Sequence, residues 1–237
     1  STPATLQNHG MVQVGIRAVE GGVFSNWACT QLQAGSSLQV MPPEGRFCIK
    51  RQRALHRVGF AAGSGITPIL SIMTHTLESQ PEAKFTLVYG NRRMASVMFN
   101  EALQDLKDRY PHRLTLVHIL SRQAQEVDLL QGRIDGDKVR AVIDALLPVK
   151  SMDEVFVCGP EAMIDATEKA LIQAGVPADR VYTERFTAGE PVHAKVTTKK
   201  TASHSGKAIL MTVVVDGKSH EVALHPGENL LDAALNA

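Results

Sequence analysis

Between residues 54 and 186, short apolar runs alternate with longer stretches that have helical spacing. The runs lie near Val58–Ala61, Phe85–Tyr89, Leu114–Ile119, Glu154–Val157 and Arg180–Thr183. The helical patterns lie at Ile69–Leu77, Val97–Tyr110, Lys138–Leu147 and Glu161–Ala174. A period near two that gives way repeatedly to one near 3.6 buries its apolar faces best in one arrangement, a parallel sheet covered by helices on both sides. The predicted fold class is therefore α/β, with a doubly wound five-stranded parallel sheet. Gly175 is a stop signal after the last helix, with Pro177 just beyond it.

The flanks read differently. Residues 1–53 alternate over Met11–Val19, carry a short helix near Ser25–Leu32, and alternate again over Ser37–Met41 before Pro42-Pro43. Two or three strands cannot close a core alone, so this stretch is expected to be part of an antiparallel β domain. Residues 187–206 are rich in Thr, Ser, Lys and Ala and read as a linker. Residues 207–237 offer strands Ala208–Val215 and His220–Leu224 around Asp216-Gly217, a hairpin turn signal, and then a helix start at Asn229–Leu235. A hairpin with a turn or two of helix is too little for an independent domain.

Bulk properties exclude several classes of function. A net charge of +1 gives no reason to expect nucleic acid or an anionic membrane surface as partner. No apolar run approaches the ~20 residues of a spanning helix, and no signal sequence opens the chain. Cys29, Cys48 and Cys158 are widely spaced, with no C-x-x-C. They read as reduced thiols of a cytoplasmic protein rather than a disulfide frame. The nine histidines show no ligand spacing, so no protein-bound metal is expected on these residues.

In open α/β sheets ligands bind beyond the carboxyl ends of the strands, and every predicted strand here ends in polar or glycine-rich chemistry. After the first comes Gly63-Ser64-Gly65, with Thr67 as expected N-cap and Pro68 as first helical residue. A glycine turn that feeds a helix N-terminus can cradle a phosphate; read alone, it is equally a plain strand–turn–helix joint. The second strand ends in Gly90-Asn91-Arg92-Arg93, the third in Ser121-Arg122, the fourth in Cys158-Gly159-Pro160 and the fifth in Glu184-Arg185-Phe186. Together these favour a dinucleotide site. Arginine where an NAD site carries an acid suits a 2′-phosphate, so Arg122 with Ser121, and Arg92, are candidate NADPH contacts; Arg92 could instead touch the pyrophosphate. Cys158 reads as a small buried residue beside a bound nicotinamide rather than a covalent nucleophile. Gly22-Val23-Phe24-Ser25 repeats the opening theme, with Ser25 either a simple N-cap or part of a second phosphate site.

The stretches VEGGVFSNW, VMPPEGRF, AAGSGITPIL, LVYGNRR, VFVCGPEAMI and ERF, in that order, resemble the ferredoxin–NADP reductase superfamily. The resemblance is to the oxygenase reductases that carry a C-terminal plant-type ferredoxin domain. It implies that Gly22, Val23, Phe24 and Ser25 bind the FAD pyrophosphate. Gly63, Gly65, Thr67 and Pro68 would bind the NADPH pyrophosphate, with Asn91, Arg92, Ser121 and Arg122 toward the adenosine end. Cys158, Gly159 and Pro160 would form the nicotinamide pocket, and Glu184 and Phe186 would approach the flavin. The implied cofactors are FAD and NADPH, with NADH as the alternative, and the implied partner is an oxygenase component that accepts electrons. The resemblance also implies a partial FAD-binding β-barrel domain over 1–53, an NAD(P)-binding domain over 54–186, a linker over 187–206 and the start of a β-grasp 2Fe–2S domain over 207–237. The family's Arg-x-Tyr-Ser/Thr segment does not occur in residues 1–20, and no cysteine follows Cys158. A 2Fe–2S cluster needs cysteine thiolates, so it is expected only in a longer protein. A non-catalytic dinucleotide-binding module is the competing reading from another class.

Overall fold

The computed structural model describes residues 14–40, 45–51 and 55–186, together with two strands at 209–215 and 218–224. The chain divides into two compact units, Ser1–Glu190 and Pro191–Ala237.

The first unit is built on five strands: β1 (His56–Ala62), β2 (Lys84–Asn91), β3 (Leu114–Leu120), β4 (Glu154–Cys158) and β5 (Val181–Glu184). They pair in parallel in the order β3-β2-β1-β4-β5, which bears out the doubly wound α/β expectation. The order reverses between β1 and β4, where open sheets of this kind leave a crevice. The central strands are apolar on both faces because helices cover both. On one side lie Phe85, Leu87 and Tyr89 with Ile66, Ile69, Met73 and Leu77 of the helix Ile66–Ser79 and Leu103 and Leu106 of the helix Asn100–Arg109. On the other lie Val58, Phe60, Val88 and Val157 with Val139 and Val142 of the helix Gly136–Leu146 and Ile164 and Leu171 of the helix Glu161–Gln173. With the helix Val23–Thr30 counted first as α1, these four are α2, α3, α4 and α5. Among the described residues no helix is long and apolar enough to cross a membrane.

One charged pair is buried inside this frame. Arg57 Nε lies 2.7 Å from Glu154 Oε2, both side chains fully buried. The rest of the guanidinium donates to Gln80 Oε1 at 2.7 Å, Thr76 Oγ1 at 3.4 Å and the Arg51 carbonyl at 2.6 Å. Glu154 Oε1 accepts from the backbone N–H groups of Lys50 and Arg51 at 2.8 and 3.0 Å. The pair is tolerated because nearly every donor and acceptor on it is satisfied. It ties residues 50–51 to the amino ends of β1 and β4, opposite the glycine turn.

The structure departs from the sequence expectations at several points. Neither alternating stretch of the N-terminal region is a strand over its described residues, 14–19 and 37–40. A strand needs a hydrogen-bonded neighbour, and the described part of this region supplies none. The described residues of this region thus show no strand of the expected β-barrel portion, and α1 is the regular helix among them. α1 starts at Val23, with Gly22 as N-cap, so Ser25 is not the cap: its Oγ accepts from the Val19 N–H at 3.2 Å. α2 likewise starts at Ile66 with Gly65 as N-cap, so Thr67 and Pro68 fall inside its first turn, and Thr67 Oγ1 donates to the Ser64 carbonyl at 3.1 Å. The helix expected from Val97 starts at Asn100 because Phe99 takes a left-handed backbone, φ 58°. In the second unit β6 (Ile209–Val215) and β7 (Lys218–Leu224) form an antiparallel ladder with Val215 opposite Lys218. The turn at 216–217, the linker at 187–206 and the helix at 229–235 lie outside the described residues.

Candidate functional site

The ends of β1 and β4 meet where the strand order reverses. After Ala62 the chain makes a single 3₁₀ turn over Gly63–Gly65 and enters α2 directly. Gly63 has φ +54°, a left-handed conformation that a side chain disfavours. At Gly65 the reason for glycine is proximity: a Cβ there would stand 2.1 Å from the Cys158 carbonyl oxygen and 2.8 Å from the Gly159 nitrogen. The start of α2 is therefore pressed against the residues Cys158-Gly159-Pro160 that lead into α5, with Pro160 as that helix's N-cap. Tyr89, from the middle of the α2-side core, donates its hydroxyl to the Gly63 carbonyl at 2.9 Å. Burial pushes its phenol up to about 12, so it remains a donor that holds the turn.

β5 completes this rim. Cys158 pairs in register with Ala61 on one side and Glu184 on the other. The Cys158 thiol is wholly buried, and burial, followed by the field of the Glu184 carboxylate, raises it to about 12. It is a buried, neutral thiol and not a thiolate nucleophile. Phe186 lies two residues on, half exposed.

On the far side of β1 the sheet assembles the candidate phosphate group. The Ser121 N–H donates to the Asn91 carbonyl and the Arg122 N–H to the Arg92 carbonyl, each at 2.9 Å. Asn91, Arg92, Ser121 and Arg122 thus lie side by side on paired segments although 30 residues apart in sequence. Ser121 Oγ also leans on the Asn91 carbonyl, at 3.4 Å. Among the described residues neither Arg92 nor Arg122 has an acidic partner. The Asn91 Nδ2 amide is buried with no hydrogen-bond partner among the described residues.

Gly22, Val23, Phe24 and Ser25 lie at the start of α1, apart from this convergence. Among the described residues no hydrogen bond or ion pair joins them to the strand ends. The helix opens with no side-chain cap and no carboxylate in its first turn, and Val23 and Phe24 are exposed.

The residues fit a nicotinamide dinucleotide. A left-handed glycine turn with the Arg17 guanidinium beside it, guanidinium groups without an acidic partner among the described residues on neighbouring strand ends and a buried amide without one of its hydrogen bonds there are what a bound pyrophosphate and ribose phosphate would satisfy. For a flavin, the uncapped first turn of α1 suits a phosphate and the exposed Phe186 ring suits a planar aromatic group. Among the described residues no three metal-ligating side chains cluster.

Three contributors escaped the sequence reading. Tyr89 reads as an ordinary strand residue, and nothing local says that its hydroxyl reaches the turn. Arg17 reads as the polar half of an alternating strand; its guanidinium stands 3.2 Å from where a Gly63 Cβ would lie, with no acidic partner among the described residues. Arg185, between Glu184 and Phe186, reads as a surface charge; it pairs with Asp165 at 2.6 Å and Glu161 at 3.6 Å, both on α5.

Residues 60–169 match the oxidoreductase NAD-binding domain. Over 230 residues the chain is 43% identical to a component of the 1,2-phenylacetyl-CoA epoxidase of Escherichia coli (strain K12), an alignment that covers 95% of this chain and 63% of that protein. It is 34% identical over 225 residues to the ferredoxin reductase component of 3-ketosteroid-9-alpha-monooxygenase from Rhodococcus rhodochrous, covering 94% of this chain and 60% of that one. The fold resembles the crystal structure of the Amycolatopsis cytochrome P450 reductase GcoB, with a TM-score of 0.64 and 23% identity over 73% of this chain and 52% of that structure. The chain spans about three-fifths of the length of these curated relatives.

Proposed function

We propose that the chain, whose residues 60–169 match the oxidoreductase NAD-binding domain, belongs to the NAD-binding ferredoxin reductase family and is the coenzyme-binding portion of a flavin-dependent reductase that takes electrons from NADPH for an oxygenase component. When bound, the nicotinamide and the flavin supply hydride transfer followed by release of single electrons to an iron–sulfur centre. The protein's work is to bind, align and exclude water. Gly63–Gly65, with Arg17 beside the turn, would hold the coenzyme pyrophosphate. Arg92 and Arg122, with Asn91 and Ser121, would hold the 2′-phosphate end. Cys158, Gly159 and Pro160 would wall the nicotinamide, with the thiol kept neutral by burial. Phe186 would cover the flavin face and Glu184 would hold a carboxylate beside it. Gly22–Ser25 would take the flavin pyrophosphate at the start of α1. The thiols Cys29, Cys48 and Cys158 cannot supply a cluster's four ligands, so the 2Fe–2S centre is assigned to residues outside these.

The observation that carries this reading is the convergence of three distant segments, 63–68, 158–160 and 184–186, on one rim of the sheet. The likeness to the phenylacetyl-CoA epoxidase component favours phenylacetyl-CoA epoxidation as the process served, with 3-ketosteroid hydroxylation as the alternative. In keeping with that role we assign residues 1–53 to a flavin-binding portion, 54–186 to the coenzyme domain, 187–206 to a linker and 207–237 to the start of a ferredoxin domain, in a cytoplasmic protein. Anaerobic mixing of the purified holoprotein with NADPH tests it: a flavin absorbance band that bleaches within seconds is expected. A colourless protein that still binds NADPH would instead make it a non-catalytic dinucleotide module.

A further inference from the structure

The last residues of the coenzyme domain lie on a short edge strand, and their placement is set by a contact made outside the site. β5 has four residues, none of them fully buried, and pairs with β4 alone. Glu184 is its last residue; Arg185 and Phe186 lie beyond the ladder. Glu184 stands opposite Cys158, which belongs to the core on the α2 side of the sheet. Arg185 turns to the other side, where its guanidinium meets Asp165 at 2.6 Å and Glu161 at 3.6 Å on α5, the helix that packs with the opposite core. Glu168, one turn further along α5, adds a third carboxylate to the field on this guanidinium. Successive residues of an extended chain point to opposite faces. Glu184 takes the α2 face, where the glycine turn and Cys158 lie, through its own pairing with Cys158; a contact that holds residue 185 on the α5 face would continue that pleat beyond the ladder and direct 186 back to the α2 face.

We propose that Arg185 is a positioning residue: its pairing with the α5 carboxylates Asp165 and Glu161 fixes which face of the sheet the Glu184–Phe186 tail presents, and so aligns that tail with the bound coenzyme. The inference rests on the reading of Glu184 and Phe186 given above. Among the described residues no other side-chain hydrogen bond or ion pair holds residues 185 and 186 past this four-residue edge strand. A solvated pair of this kind adds little to overall stability, so its use lies in geometry, to which rates of hydride transfer are steeply sensitive.

The test uses the flavin-loaded holoprotein and two readouts, pre-steady-state flavin reduction by NADPH and hydrogen exchange of the Glu184–Phe186 amides. Arg185→Ala, and separately Asp165→Asn from the helix side, are expected to lower the limiting reduction rate about 10-fold. Half-saturation for NADPH should stay within about twofold, and exchange at 184–186 should speed up. The exchanged pair Arg185→Asp with Asp165→Arg should recover most of the rate, which loss of folding could not produce. A wild-type limiting rate in Arg185→Ala, an equal loss in NADPH affinity, or no recovery in the exchanged pair would each overturn the proposal. Phe186→Ala and Glu184→Gln separate the two levels. If both reduce flavin at the wild-type rate, the reading of the tail fails and takes the proposal with it. If they are slow while Arg185→Ala is fast and its exchange unchanged, the proposal alone fails.

Discussion

At the scale of single residues, charge and burial divide the rim into parts with different work. Arg122 and Arg92 meet on paired strand ends with no carboxylate to neutralise them among the described residues. A charge-assisted contact to a phosphate contributes about 1.5–3 kcal/mol, so Arg122→Ala should weaken NADPH binding by about 10- to 100-fold. NADH lacks the 2′-phosphate, and its dissociation constant should change by less than about threefold. Titration of both coenzymes decides this, and equal losses would remove the 2′-phosphate assignment. Cys158 illustrates the converse. Because burial and Glu184 hold its thiol up to about 12, iodoacetamide at pH 8 should alkylate Cys29 and Cys48, which are exposed, and spare Cys158 until the chain is unfolded. Peptide mass spectrometry before and after urea distinguishes the two cases.

At the scale of elements, the site depends on how closely α2 approaches the end of β4. Alanine at Gly65 would place a methyl group 2.1 Å from a backbone oxygen, a clash no flexible side chain can relieve. Such overpacking costs typically about 1–3 kcal/mol and more when backbone must move, so Gly65→Ala should destabilise the fold by about 3 kcal/mol and displace the turn proposed to bind phosphate. Urea unfolding and NADPH titration would register both effects. At the other end of the same strands, Glu154→Gln leaves the Arg57 guanidinium buried without its counter-charge. Breaking one half of a buried pair costs about 3–5 kcal/mol, against a far smaller change when both members are replaced by apolar residues. Comparing Glu154→Gln with the double substitution Arg57→Met, Glu154→Leu in urea tests whether the pair supplies stability or specificity, since it also tethers residues 50–51.

At the scale of the whole molecule, two half-buried histidines give the fold a pH dependence. Burial lowers His56, at the start of β1, below the ordinary 6.5 despite the opposing charge of Asp153. It lowers His118 on β3 as well, and neither ring nitrogen of that residue has a hydrogen-bond partner among the described residues. A native state that refuses protons the unfolded chain accepts loses stability as pH falls below about 6.5, and the loss grows as pH drops further. The urea midpoint at pH 5.5 should therefore lie below that at pH 7.5. His118→Phe, which keeps an aromatic ring next to Tyr89 and removes the unpartnered nitrogens, should narrow that gap.

The sheet was readable because its information is local. Each strand and helix carries its own periodicity, glycine and proline punctuate the joints, and parallel strands flanked by helices have few ways to pack. The order of the strand ends also follows from chain topology, so the glycine turn, the Cys158 segment and the two arginines could be nominated as a group. Helix starts were less legible. Thr67 and Ser25 look like caps in sequence, but α2 and α1 begin one or more residues earlier, because a packed helix takes its start from the turn before it. Alternation over 11–19 and 37–41 failed as a strand signal over the described residues, since pairing requires a neighbour that local sequence does not specify. What tertiary structure alone decided was which distant groups meet. The Tyr89 hydroxyl on the Gly63 carbonyl, Arg17 beside the same turn, Arg57 inside the fold and Arg185 across to α5 all join residues through space. Short-range periodicity carries no record of such contacts, because a side chain's partner depends on where the backbone has already placed it.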